Sequence, residues 1–190
     1  GCFQNGQISN FVIMNIDEDD TRLFRPLEPG EFGIYTQSDE LPVSDCPVYL
    51  MEGVGGICLS GTATVQVFSH RFRIVRGMVL ALFPWQLISI KEVSDDFGIR
   101  FFRISHDMFT DTLSSLWRAR PGFFFYMRTH IASEPREEYV GRFLNFCDLL
   151  AYRAENAPVI CRRESVMQLL RVFYWDVYTI YLNDPQAKKT

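Results

Sequence analysis

Thr62-Ala63-Thr64-Val65-Gln66-Val67 places Ala63, Val65 and Val67 on one face and Thr62, Thr64 and Gln66 on the other. A period of two is the mark of a half-buried strand. Arg71-Phe72-Arg73-Ile74 alternates in the same way a few residues later. Outward from this pair, further short apolar runs fall at 48–51, 57–59, 78–83, 87–91 and 99–104. Turn-forming clusters punctuate them: Pro26, Pro29-Gly30, Ser38-Asp39-Glu40, Ser60-Gly61, Gly77 and Ser94-Asp95-Asp96. Strands at this spacing predict an antiparallel sandwich or barrel over the first hundred residues. Met78-Val79-Leu80-Ala81-Leu82-Phe83 is apolar on both faces, so it is expected to be covered on both sides, inside the barrel and outside by a helix or a partner. Gly53-Val54-Gly55-Gly56 reads as a flexible turn; it is neither a Walker loop nor a dinucleotide fingerprint.

After about residue 105 the periodicity turns helical. Residues 106–117 predict a short helix, stopped by Arg118-Ala119-Arg120-Pro121-Gly122. Phe123 to Met127 is too short and apolar to assign. Ser133-Glu134-Pro135 offers a helix start with Ser133 as cap, and Glu137 and Glu138 suit its positive end. Tyr139, Phe143, Phe146 and Leu150 then recur at helical spacing to Asn156, and Pro158 separates a second helix over roughly 160–183. Along that helix Val166, Leu169, Leu170, Phe173, Val177 and Ile180 form one stripe, flanked by Met167, Tyr174, Tyr178 and Tyr181. Two apolar bands suggest a dimer interface comprising Val166, Leu169, Leu170, Phe173, Tyr174, Val177 and Ile180; a single wide core face is the alternative.

Composition narrows the class. Over 190 residues, 47% are hydrophobic and 22% charged, which is globular and not disordered. Seventeen Phe against three Trp point to packing, a greasy cavity or a subunit interface. No run reaches the roughly 18–20 apolar residues of a membrane helix, and no secretory leader is visible. The sequence opens Gly1-Cys2 without an initiator Met, so an engineered boundary or a processed end is expected there. Five cysteines (Cys2, Cys46, Cys58, Cys147, Cys161) form no CxxC pair, and the odd count favours reduced thiols in a cytoplasm. Residues 1–100 carry 13 acids against 7 bases and residues 101–190 carry 10 against 12, so neither half has a concentrated basic face for phosphates.

Ile57-Cys58-Leu59-Ser60-Gly61-Thr62-Ala63-Thr64-Val65, then 72–77, then Leu82-Phe83-Pro84, resembles the barrel in the sensing half of bacterial transcription regulators of the AraC/XylS type. The Val93-Ser94-Asp95-Asp96-Phe97 turn and the strand after it continue the likeness over most of residues 20–183. The order of parts agrees too: β-barrel first, then two long helices, the second of them apolar and extended. The resemblance implies a mainly β, α+β chain, with a cupin-like double-stranded β-helix barrel at 1–105 and a helical region at 106–190. It further implies an effector site, a dimerising helix at about 160–183, and a DNA-binding helix-turn-helix domain after residue 190.

Catalysis is not advertised. Metal-binding cupins use converging histidines, but His70, His106 and His130 are scattered, with no His-x-His pair. No G-x-S-x-G elbow exists, and Asp17-Glu18-Asp19-Asp20 lacks the pattern of a calcium loop. No metal, cofactor or catalytic residue is therefore expected. A barrel interior would be lined by Val65, Val67, Phe72, Ile74, Leu80, Leu82 and Phe101, with Trp85 at its mouth as a wall or a packed plug. Arg103 on the Phe101 face would reach an anionic effector; the opposite register would turn Phe102 and Ile104 inward. Side chains filling the barrel, with no effector, is an equal alternative. Two functions follow: a non-catalytic, ligand-sensing, dimerising domain of an AraC-type regulator that touches DNA only through a further domain, or a stand-alone cupin-like protein that binds or converts a small molecule. The gene sequence past Thr190 discriminates between them.

Overall fold

In the computed structural model, which describes residues 25–185 and 187 apart from 117 and 120, eight strands precede four helices. The strands are β1 (Phe32–Tyr35), β2 (Val48–Tyr49), β3 (Gly53–Ser60), β4 (Ala63–Val67), β5 (His70–Ile74), β6 (Val79–Leu82), β7 (Leu87–Lys91) and β8 (Gly98–Ile104). The helices are α1 (His106–Leu113), α2 (Pro121–Met127), α3 (Glu137–Asn156) and α4 (Arg162–Asn183). Asp17-Glu18-Asp19-Asp20 and Cys2 lie outside the described residues.

The expected closed barrel is not formed. Two antiparallel four-stranded sheets run β1-β8-β3-β6 and β2-β7-β4-β5, and neither closes. The physical reason is visible at β6, the outer strand of the first sheet. Its free edge is taken by residues 131–133 instead of a strand from the other sheet: Ala81 N donates to Ile131 O at 2.8 Å and Ser133 N to Val79 O at 2.9 Å. The Ser133 hydroxyl accepts from Val79 N at 2.9 Å, so it serves this edge and is not the cap of α3. Helix α3 begins at Glu137 with Arg136 in the cap position, while Glu137 and Glu138 do occupy its first turn.

Three layers result. Ala63, Val65, Val67 and Ile74 from one sheet meet Val54, Leu80, Leu82, Ile99 and Phe101 from the other in a core between the sheets. The back of the first sheet carries Ile57, Ala81, Phe102 and Ile104, and the helices pack on it through Met108, Phe143, Leu150, Val166, Leu170 and Tyr174. Both faces of β8 are therefore buried, and the choice between inward Phe101 and inward Phe102 dissolves: each has a core of its own. Strand β6 is covered on both sides, as its two-faced apolar run requires.

Two elements escape the sequence pattern. Phe32-Gly33-Ile34-Tyr35 is too short to signal a strand, yet pairs with β8 from Phe32↔Ile104 to Tyr35↔Phe101. Gly53-Val54-Gly55-Gly56 is no turn; it is the first half of β3, buried throughout. Glycine is needed there because aromatic rings lie directly on the strand: a Cβ on Gly55 would stand 2.3 Å from Phe102 Cζ and 2.8 Å from Phe173 Cε1.

Helix α4 lies deep in the third layer. Val166, Leu170, Phe173, Tyr174 and Val177 are buried in the chain's own core, while Leu169 and Ile180 are half-buried. Tyr174 is fully buried, edge-on to Phe83, Phe109 and Phe173 at 6.0, 5.7 and 5.1 Å, and its hydroxyl finds no hydrogen-bond partner among the described residues. An unsatisfied buried hydroxyl costs about 1–3 kcal/mol, so Tyr174→Phe is expected to stabilise the fold by about 1 kcal/mol. Urea unfolding checks this, with a rise in midpoint at unchanged slope.

Candidate ligand-binding site

The space between the sheets holds little. Val65, Leu80, Leu82, Ile90, Phe97 and Ile99 close around a cavity of about 10 Å³, barely the volume of one water centre. Of the side chains expected around an effector, Val65, Val67, Ile74, Leu80 and Phe101 do come together here, and Phe72 lies at the margin, but they fill the space themselves. Trp85 stands away from them, 59% exposed in the β6–β7 turn at φ 72° and edge-on to His106 at 5.5 Å. Arg103 is already engaged. Its Nε donates to the Glu52 carboxylate, its Nη1 donates to Glu40 O at 2.8 Å, and the guanidinium lies 5.4 Å over the Tyr35 ring.

A larger cleft, of about 390 Å³, opens on the other side of the first sheet between α3, α4 and the 130–136 segment. That volume falls in the range of small-molecule sites. Helical periodicity explains its walls. Tyr139, Arg142, Phe143 and Phe146 recur along one face of α3, while Phe173, Asp176, Val177 and Ile180 do so along α4. Phe143, Phe146 and Phe173 form the aromatic base, with ring centroids 6.0–6.1 Å apart in all three pairings. Val79, Ala132 and Ser133 supply a small-residue side wall. Thus Phe173, Val177 and Ile180, three members of the α4 stripe, face the cleft.

One end of the cleft is closed by a polar latch. Tyr126 from the end of α2 donates its hydroxyl to Asp184 Oδ2 at 2.5 Å, and the His130 ring stacks on Tyr126 at 4.0 Å. Burial first, and the Asp184 carboxylate second, push the Tyr126 phenol well above its ordinary pKa, so it is a donor across the physiological range. Arg136 lies 3.6 Å from Glu138 and 5.9 Å over the Tyr139 ring. Burial raises the Asp176 carboxyl above the usual carboxylate range, and the positive charge of Arg142 opposes that rise. Sequence patterns could not mark this site, because its residues come from four segments and only two of those carry a periodic signal.

Among the described residues, no group of three or more His, Cys, Asp or Glu side chains could hold a metal. His70 opens β5, His106 opens α1 and His130 follows α2, so the three do not converge. Cys46, Cys58, Cys147 and Cys161 are unpaired among the described residues. Burial pushes the Cys147 thiol up to about 11, which makes it inert. No described helix is long and apolar enough to cross a membrane.

No family model matches the sequence, and no curated protein matches it. Solved structures do. Apo ToxT K231A from Vibrio cholerae strain SCE256 superposes with a TM-score of 0.52 at 11% identity, over 82% of this chain and 58% of that one. The chain therefore spans little more than half the length of that protein, and the likeness is one of fold. Wild-type ToxT from the same strain, bound to an unsaturated fatty acid, gives 0.41 at 14% identity over 78% and 52% of the two chains. The AraC-like transcriptional activator CuxR gives 0.40 at 11% identity over 77% and 53%.

Proposed function

We propose that this chain is the non-catalytic, ligand-sensing portion of an AraC-type transcription regulator, and that its sensor is the cleft between α3 and α4. The observation that carries the proposal is the cleft itself, an apolar-based cavity of about 390 Å³ on a fold that superposes with apo ToxT K231A at a TM-score of 0.52. The fatty acid held by wild-type ToxT supports a small-molecule effector here as a class. In this reading the strands up to residue 105 form the scaffold, residues 106–190 form the sensing and assembling part, and DNA is contacted by a helix-turn-helix portion outside this chain.

Homodimerisation through α4 belongs to the same proposal. Because Val166, Leu170, Phe173, Tyr174 and Val177 are engaged in the chain's own core, a second copy would meet Leu169 and Ile180 only beside Val172 and Trp175, which α4 exposes.

Nile red, a neutral dye that brightens in apolar surroundings, tests the site. The expected result is saturable binding near one dye per chain. Ala132→Phe, which places a ring into the cleft from its small-residue wall, should weaken binding at least tenfold while circular dichroism stays that of the wild type. Equal dye binding by wild type and a folded Ala132→Phe variant would place the site elsewhere.

A further inference from the structure

Strand β5 is the last strand of its sheet, and among the described residues nothing pairs with its far side. In an antiparallel sheet each strand turns the N–H and C=O of one residue to one neighbour and those of the next residue to the other. At the end of β4, Phe68 N donates to Leu87 O at 2.8 Å, so the even residues of β4 turn to β7 while Ala63, Val65 and Val67 turn to β5. Their partners across that ladder are Ile74, Phe72 and His70. Arg71 and Arg73 therefore direct their N–H and C=O groups to the open edge, where no backbone hydrogen bond reaches them among the described residues.

The same two residues carry charge. Arg71 and Arg73 stand on the solvent face of the sheet, opposite Gln66 and Thr64, and Lys91 pairs with Thr64 from the other side. All three cations are exposed, and none makes an ion pair within 4.0 Å among the described residues. The Glu92 carboxylate lies on this face too, accepting from the Thr64 hydroxyl at 2.8 Å, and three cations against it leave the face positive. Phe72, between the arginines, points the other way and is half-buried at the margin of the core between the sheets. Charge on an edge strand discourages chance pairing. Here it excludes a second copy, because β5 laid antiparallel on β5 and centred on Arg71, Phe72 or Arg73 sets arginine against arginine. Lys91, two strands in from the edge, adds positive charge where no edge needs protection.

We propose that the open edge of β5 docks an extended acidic segment of a partner protein, taken up as a further antiparallel strand with the pattern acid–apolar–acid. The backbone of the segment completes the ladder at Arg71 and Arg73, as in other cases of strand addition. Its two acids then stand opposite the two arginines, with side chains about 5 Å apart at their bases. The apolar residue between them covers the Phe72 ring. A peptide suits this edge better than a nucleic acid does. The edge presents donors and acceptors in alternation, which a peptide backbone can match, whereas a phosphate backbone brings acceptors only.

Fluorescein-labelled Thr-Val-Asp-Val-Asp-Val-Thr is the probe, and its fluorescence anisotropy with the full chain at low salt is the readout. Two control peptides change one property each. Thr-Val-Lys-Val-Lys-Val-Thr reverses the charge. Methylation of the two Asp backbone nitrogens keeps the charge but removes the N–H groups that would donate to the Arg71 and Arg73 carbonyls. The wild type is expected to bind the Asp peptide at least tenfold more tightly than either control. The charge-reversed double variant, Arg71→Glu with Arg73→Glu, should prefer the Lys peptide to the Asp peptide at least tenfold. Both positions are exposed, and circular dichroism verifies that the variant folds; should it not, the ranking of the three peptides on the wild type decides alone. A wild type that does not bind the Asp peptide at millimolar concentration overturns the proposal. So does an N-methylated peptide that binds as well as its parent, because charge without strand pairing would then account for the binding. A short DNA duplex that binds the wild type more tightly than the Asp peptide, and is lost from the double variant, overturns it in favour of a nucleic acid.

Discussion

Replacing Arg163 with Ala should cost about 3–5 kcal/mol, the usual range when one partner of a buried ion pair is removed. Arg163 lies in the first turn of α4, where a cation opposes the helix dipole, so local helix stability does not explain it. Its side chain is only 7% exposed. Nε donates to Glu31 Oε1 and Oε2 at 3.2 and 3.1 Å, and Nη2 donates to Asp111 Oδ2 at 2.8 Å. One guanidinium therefore joins the segment before β1, the helix α1 and the start of α4. Removing it leaves the Glu31 carboxylate, itself 13% exposed, with the more exposed Arg25 at 3.5 Å and the Glu28 N–H at 3.2 Å, and no charge of comparable burial beside it. Arg163→Lys should fall between wild type and Ala, since a single ammonium cannot serve both carboxylates with the same forked geometry. Equilibrium unfolding in urea reads all three proteins. A loss below about 1 kcal/mol for Arg163→Ala would mean that the cluster behaves as a solvated surface network instead.

Nothing in the sequence marks Arg163. It stands beside Arg162 and just before Glu164 in a charged run that reads as a solvated helix start, and its partner Glu31 lies 132 residues away. The legible parts were those that repeat. Thr62 to Val67 declares its period within six residues, and the burial of Ala63, Val65 and Val67 follows it. The stripe of α4 is equally visible, yet periodicity says only that a face is covered and not by what. Phe173 and Val177 could serve a core, a partner or a cavity, and they serve a core and a cleft together. Barrel closure failed for a related reason. Strand pattern cannot say which chain segment reaches the edge of β6, and residues 131–133 reach it from beyond the β region. The cleft itself was invisible because a void between two helices depends on where they stand, not on what either one carries.

The glycines of β3 serve by being small and not by being flexible, and substitution separates the two meanings. Were Gly53-Val54-Gly55-Gly56 a turn, Gly55→Ala would be near neutral or would stabilise by about 0.4–1 kcal/mol through the unfolded chain. In β3 the same change should cost more than about 3 kcal/mol, at the upper end of overpacking effects. Gly55 pairs with Phe102 on β8 and with Ala81 on β6, and the Phe102 ring crosses over it. The methyl group would overlap Phe102 Cζ and Cε1, at 2.3 and 2.4 Å. That ring has nowhere to retreat: Phe173 stands edge-on at 5.0 Å, Phe143 is stacked at 6.5 Å, and Phe102 is itself fully buried. The clash would pass from the sheet into α3 and α4, and so into the aromatic base of the cleft. Gly55→Ala should therefore lose Nile red binding along with stability, and Phe102→Leu added to it should recover part of both, since the shorter side chain vacates the space the methyl needs. Gly141 on α3 supplies the contrast. A Cβ there meets nothing within 4 Å, and Gly141→Ala should stabilise by about 1 kcal/mol from helix propensity alone. Thermal melts of the two alanine variants should move in opposite directions, and a Gly55→Ala melt at or above wild type would contradict the close approach of Phe102 to β3.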